Sequence, residues 1–188
     1  MKVKLLNKPT LEFVDNGIGQ CYDKGCYANE EKKLNRINRV ANVNKHGSVL
    51  EFEEAIFEIT ASTKVLLEMT RHRHASYACK SSRYTIDKGD IVFEDTGNND
   101  VNGMLENFRQ VIINAQNKGY SNDVISLMLP QAYQYRWIVK MNYRSLQNFL
   151  SLRTDKHSHF HIREVANEMF KQLPDEHKFL FKDCINEK

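Results

Sequence analysis

Residues 71–84, Arg71-His72-Arg73-His74-Ala75-Ser76-Tyr77-Ala78-Cys79-Lys80-Ser81-Ser82-Arg83-Tyr84, concentrate the groups of this chain best suited to chemistry. Arginine and histidine alternate over Arg71–His74, and Ser81-Ser82-Arg83 begins after seven residues intervening from Arg73. Carboxylates are scarce nearby: Glu68 precedes the cluster and the next is Asp87. Cations so placed call for an external anion. Phosphate fits best, because the planar Arg fork donates paired hydrogen bonds to it. Ser81 and Arg83 suit a monophosphate, offering a hydroxyl, a fork and exposed backbone amides on a loop entering a strand. Cys79 sits among these cations, which should lower its thiol pKa. Cys21, Cys26 and Cys184 are scattered, and the five-residue step from Cys21 to Cys26 is too wide for a Cys-x-x-Cys pair, so no metal site is expected. The chain has no Gly-x-Gly-x-x-Gly and no phosphate-loop glycine run, which argues against both common nucleotide-binding loops.

The elements that must position these groups follow from periodicity. Residues 2–14 alternate weakly (Val3, Leu5, Leu11, Phe13) and read as an edge strand or two. Asp15 to Gly25 contains three glycines and reads as a loop. Ala28 to Asn44 is a polar helix with Leu34, Ile37, Val40 and Val43 as its apolar stripe, ended by His46-Gly47-Ser48. Glu51 to Thr60 alternates as a strand, with Phe52 and then, after one slip of phase near Ala55-Ile56, Phe57 and Ile59 on one side. Ser62 is placed to cap a short helix, Thr63 to Arg71, which would bring the arginines to its C-terminal end, where cations suit the helix dipole. Tyr84-Thr85-Ile86 and Ile91-Val92-Phe93 read as two short strands around a turn at 87–90. After a polar linker at 95–100, Val101 to Lys118 is a long amphipathic helix using Met104, Leu105, Phe108, Val111, Ile112 and Ala115. Ser121 would cap a helix over Asn122–Met128, broken by Pro130. Ala132 to Met141 is an aromatic-rich strand, Asn142 to Arg153 a helix with Leu146, Phe149, Leu150 and Leu152 inward, and 160–173 and 176–182 a helical tail. The class is α+β, an antiparallel sheet flanked by helices.

Length and composition bound the rest. The 188 residues make one domain, 1–188, with 41% apolar and 27% charged residues, as in ordinary globular proteins. No run approaches the ~18 apolar residues of a membrane span, and the N-terminus lacks an apolar leader core, so a cytoplasmic protein with no membrane partner is expected. A net charge of +3 permits anionic substrates. A nucleic-acid module built on Arg71–His74, Lys80 and Arg83 with Tyr133, Tyr135 and Trp137 would carry a larger basic excess.

Three blocks in this order, His46–Phe52, Arg71–Ser81 and Leu129–His157, resemble those of the flavin-dependent thymidylate synthases. Arg71-His72-Arg73, seven residues and Ser81 resemble the family's Arg-His-Arg-X7-Ser signature. Upstream, His46-Gly47-Ser48-Val49-Leu50-Glu51-Phe52 resembles His-x-Ser-x-x-Glu-His, with Phe52 in the last position. Downstream, Leu129-Pro130 and Asn142 through Arg153 to His157 resemble the family's cofactor and nucleotide segment. The resemblance implies a homotetramer with active sites between subunits. It also implies C5 methylation of dUMP to dTMP with FAD, methylenetetrahydrofolate and a nicotinamide reductant, NADPH. It assigns FAD to His46, Ser48, Arg71, His72 and Arg73, met by Asn142, Arg144, Asn148 and His157 of another subunit. It assigns the nucleotide to Glu68, Arg71, Ser81, Ser82, Arg83 and Arg153. Arg153 is the catalytic candidate: it would favour the N3-ionised pyrimidine and so raise electron density at C5.

The pattern is departed from at three further places: Ala78-Cys79 stands for Asn-Glu, Glu68 for Gln and Ser126 for Arg. An ionised Glu68 only accepts hydrogen bonds, so it would suit the cytosine amine better than uracil O4. Methylation or hydroxymethylation of dCMP is therefore the alternative reading. Pairing of Glu68 with Arg71 or Arg73 along the helix is the simpler account of the same residue.

Overall fold

The computed structural model describes residues 1–86 and 91–186. Four strands, β1 (Lys2–Leu5), β2 (Glu54–Ser62), β3 (Ser76–Cys79) and β4 (Gln134–Asn142), form one antiparallel sheet in the order β1-β2-β4-β3. The helices are α1 (Glu12–Cys21), α2 (Glu30–Ile37), α3 (Thr63–Met69), α4 (Ser82–Thr85), α5 (Asn99–Asn117), α6 (Asn122–Ser126), α7 (Tyr143–Arg153) and α8 (Phe160–Gln172). The chain divides into two compact units, one of residues 1–2, 59–71 and 78–138, the other of residues 3–58, 72–77 and 139–188.

In the second of these, α1 overturns the expectation of strand then loop over 2–25, of which only Lys2–Leu5 is a strand. Val14 and Ile18, four residues apart and buried, form its inward stripe. The helix starts at Leu11, whose backbone is left-handed (φ 60°). The buried Glu53 carboxylate secures that strained start, accepting the amides of Thr10 (3.3 Å), Leu11 (3.1 Å) and Glu54 (3.1 Å). Gly19 is required by the fold: a Cβ there would fall on the carbonyl oxygen of Lys24. Helix α2 begins on Asn29, whose side chain accepts the Lys32 amide. From Asn38 to Val43 the winding widens to a π-helix. The wider turn carries Val43 off the stripe, leaving it 67% exposed while Val40 and Ala41 stay buried.

A 3₁₀ turn, Gly47–Phe52, precedes β2, so Phe52 is exposed rather than part of the strand. Helix α7 packs on this turn and on α8. Its expected inward residues Leu146, Phe149 and Leu150 are buried, but Leu152 is exposed.

In the unit of residues 1–2, 59–71 and 78–138, Ser62 caps α3 as expected, accepting the Val65 amide at 3.4 Å. The helix ends at Met69, so Arg71 follows it in a turn. The buried Trp137 indole N–H donates to Met69 Sδ at 3.3 Å. A core forms from Ile86, Ile91, Ile112, Ala115, Ile125 and Tyr133. The strand expected at 84–86 is instead the end of the short helix α4: the Ser81 carbonyl accepts the Tyr84 and Thr85 amides and the Thr85 hydroxyl. Residues 91–93 supply only one antiparallel bridge, Phe93 to Tyr133; the turn expected at 87–90 lies outside the described residues. Helix α5 starts on Asn98, which accepts the Asp100 and Val101 amides. Its Ile112 and Ala115 face inward, but Met104 and Val111 are exposed, as are Val124 and Leu127 at α6.

Candidate active site

A cavity of about 540 Å³ is lined by Glu51, His72, His74, Asn142, Arg144, Ser145 and Asn148, all within the unit of residues 3–58, 72–77 and 139–188. The cap and first two turns of α7 supply four of these residues, and Asn142 caps the helix: its Oδ1 accepts the Ser145 amide at 2.8 Å. Capping uses the oxygen and leaves the Asn142 amide nitrogen as a donor. Arg144 Nη1 donates to Glu51 Oε1 at 2.6 Å, and its stem runs over Gly47. The His46–Ser48 stretch is thereby brought beside α7, although His46 and Ser48 are themselves exposed and do not line the cavity.

His72 is the one buried member of the Arg-His-Arg-His run. Its Nε2 lies 2.7 Å from Ser145 Oγ, and Ser145 Oγ donates to the His74 carbonyl at 2.5 Å. The Tyr77 hydroxyl donates to the His72 carbonyl at 3.0 Å, and Phe149 packs edge-on to the imidazole with centroids 5.6 Å apart. Burial, reinforced by His74 and Arg153, pushes the His72 pKa down and favours a neutral ring. The cavity thus presents amide and guanidinium donors beside carboxylate and imidazole acceptors, a set suited to a planar polar ligand. His157 is elsewhere: it is exposed, with Nδ1 2.8 Å from Asp155 Oδ1. Arg73 is exposed, and Arg153 is half-buried at the end of α7.

In the other unit, Ser81 immediately precedes α4, with Ser82 and Arg83 in its first turn. Arg83 Nε lies 2.8 Å from Asp123 Oδ1, so this fork, expected to await an external anion, has a carboxylate partner within its own chain. The pair is 64% and 58% exposed, where such bridges contribute about 0–1 kcal/mol, so it costs little to break. Arg71 is exposed.

The family model described as thymidylate synthase complementing protein matches residues 11–177. Flavin-dependent thymidylate synthases of Campylobacter jejuni and Wolinella succinogenes are each 35% identical to the chain, over 99% and 100% of its length and 98% and 99% of theirs. The chain belongs to the flavin-dependent thymidylate synthase family. Thymidylate synthase X of Helicobacter pylori, crystallised with FAD and dUMP, matches at a TM-score of 0.84 and 31% identity over 100% of both chains. A UMP/dUMP methylase of Streptomyces cacaoi, 20% identical with a TM-score of 0.73, shares the fold.

The three departures from the flavin-dependent thymidylate synthase pattern have local accounts. The Glu68 carboxylate is 3.2 Å from the Lys64 ammonium one helical turn back, so the charge that suggested a reader of the cytosine amine is answered within α3. Cys79 is not activated: partial burial of its sulfur pushes the thiol pKa up, although the residue as a whole is exposed. Ser126 donates to the Asp123 carbonyl at 2.8 Å and so secures the end of α6. Sequence reasoning assigned no role to Glu51, His74 or Ser145. All three lay inside the quoted blocks, and Ser145 carried a signal, since it stands three residues after a helix-capping Asn.

Proposed function

We propose that the chain converts dUMP to dTMP by C5 methylation. Methylenetetrahydrofolate gives the carbon, FAD is the bound cofactor and NADPH the reductant, in a cytoplasmic homotetramer whose active sites lie between subunits. The observation that carries this reading is the convergence of His72 with Asn142, Arg144 and Asn148, two blocks some seventy residues apart, on one cavity of a single chain, where the resemblance divides them between subunits. FAD and dUMP accompany the Helicobacter pylori relative, and the residues present here fit both.

For a flavin dinucleotide, Asn142 and Asn148 offer amides to the ring edge, and Arg144 and Arg73 offer forks to a diphosphate. Reduced FAD supplies the hydride that completes the methyl group. Arg71, Ser81, Ser82 and Arg83 hold the nucleotide monophosphate. Arg153 holds negative charge at the pyrimidine N3, which enriches C5 for attack on the one-carbon unit. The exposed apolar residues Met104, Val111, Val124 and Leu127 support assembly, since a single chain leaves them in water.

The test is tritium release from C5-labelled dUMP and dCMP, measured side by side with FAD, NADPH and methylenetetrahydrofolate. Release from dUMP with formation of dTMP is expected. Release from dCMP alone, or from neither with FAD bound, would overturn the reading.

A further inference from the structure

We propose that Ser145 is a positioning residue that holds His72 as the Nε2–H tautomer, leaving Nδ1 to accept a hydrogen bond from the ligand in the cavity that His72 lines. The ligand chemistry is an N–H or O–H donor. Taking that donor to be a ring N–H or chain hydroxyl of the flavin rests on the function proposed above.

The argument is one of proton counting. A serine hydroxyl carries one proton. Ser145 Oγ has two close partners: the His74 carbonyl oxygen at 2.5 Å, which only accepts, and His72 Nε2 at 2.7 Å. The hydroxyl proton goes to the carbonyl, so the short contact to the imidazole is a hydrogen bond only if Nε2 donates. A bare Nε2 would require Ser145 to abandon His74. Burial and the nearby Arg153 disfavour the doubly protonated ring, which leaves Nδ1 bare; it has no protein partner among the described residues.

Every joint in this relay is fixed from outside. The Ser145 amide donates to Asn142 Oδ1 at 2.8 Å, which sets Ser145 by the start of α7. The Tyr77 hydroxyl holds the His72 backbone, and Phe149 meets the ring edge-on. The tautomer is thus written by the helix cap, through one hydroxyl, into a ring that faces the cavity.

The experiment uses the full-length protein labelled with ¹⁵N-histidine. Ring-nitrogen NMR near neutral pH is recorded for wild type, Ser145→Ala and Ser145→Thr, and His72→Gln identifies the His72 signal. Wild type and Ser145→Thr should show a protonated Nε2 and a bare Nδ1, and Ser145→Ala a mixture of tautomers. FAD titration should show affinity about tenfold weaker in Ser145→Ala, the worth of one hydrogen bond, and within about twofold of wild type in Ser145→Thr. A protonated Nδ1 in wild type, an unchanged tautomer in Ser145→Ala, or equal FAD losses in both variants would overturn the proposal. Failure of the wild type to bind FAD would instead sink the flavin reading, while the ring-nitrogen spectra still decide the tautomer.

Discussion

Arg36→Met tests what fastens α1 to α2. Asp15 is fully buried and Arg36 is 7% exposed. Arg36 Nε donates to Asp15 Oδ1 at 2.7 Å, Nη2 to the Asp15 carbonyl at 3.1 Å and Nη1 to the Gly25 carbonyl at 3.3 Å. The second carboxylate oxygen of Asp15 accepts the Tyr27 amide at 2.9 Å, and the Tyr27 ring lies 4.2 Å from the guanidinium carbon. One guanidinium therefore ties α1, the 25–27 segment and α2. Methionine keeps most of the stem's volume but strands a carboxylate with no water to replace its partner. Breaking a buried pair in this way costs about 3–5 kcal/mol. With a urea slope of about 2 kcal/mol per molar, the unfolding midpoint should fall by about 2 M. The double variant Asp15→Asn, Arg36→Met removes both charges and should recover about 1–3 kcal/mol of that loss. Equilibrium urea denaturation followed by circular dichroism, at one protein concentration, measures both. A midpoint shift below about 0.5 M for the single variant, or a double variant no more stable than the single, would refute the reasoning.

Acid should unfold the protein through two histidines. Burial lowers the pKa of both His72 and His177, and the Tyr143 hydroxyl lies 2.7 Å from His177 Nδ1, which it binds as a donor to the neutral ring. The unfolded chain then takes up protons first, so stability should be constant above the ordinary value of 6.5 and fall as pH drops below it toward the depressed folded values. Thermal melts across that range check the sign, and a Tm that rises on acidification would contradict it. Glu53→Ala removes the acceptor of three amides, two of them at the left-handed start of α1, and should cost about 2–3 kcal/mol. Glu53→Gln keeps an acceptor and should cost less than half as much by the same denaturation assay. Arg83→Ala should leave stability within about 0.5 kcal/mol, because its pair with Asp123 is exposed. It should nevertheless raise KM for dUMP by about tenfold or more through loss of a phosphate fork, with a smaller effect on kcat.

Periodicity revealed the elements whose burial is regular. β2, β4, α3, α5, α7 and α8 all lie close to where alternation or helical spacing put them, because each buries residues on one face, although in α5 that burial begins only at Ile112. α1 was hidden by Gly17 and Gly19, which locally argue for a loop. Its Gly19 exists because the chain folds back, with the Lys24 amide bonding to the Gly19 carbonyl at 2.8 Å, an event outside any short window. Tyr84-Thr85-Ile86 has the composition of a strand, yet one carbonyl, that of Ser81, gathers the local donors and bends the segment into a helical turn. Val43 fits a stripe of spacing three until the winding widens at Asn38, and the stripe cannot announce that change.

The site was legible as residue types in order, and much less so as partnerships. The scarcity of carboxylates near Arg71–Arg83 pointed to an external anion, but scarcity along the chain is not scarcity in space. Asp123 reaches Arg83 from 40 residues away, and Glu51 reaches Arg144 from 93. The same holds for Cys79, whose cationic neighbours in sequence do not lower its pKa, because partial burial of the sulfur decides the direction. Ser145 and His72 are 73 residues apart, and nothing local in either names the other. What joins them is the cap at Asn142, which turns α7 so that a hydroxyl one turn in meets the only buried imidazole of the Arg-His-Arg-His run. Residues suited to a ligand announce themselves by their chemistry, whereas a partner such as Ser145 is found only by following each hydrogen to its acceptor.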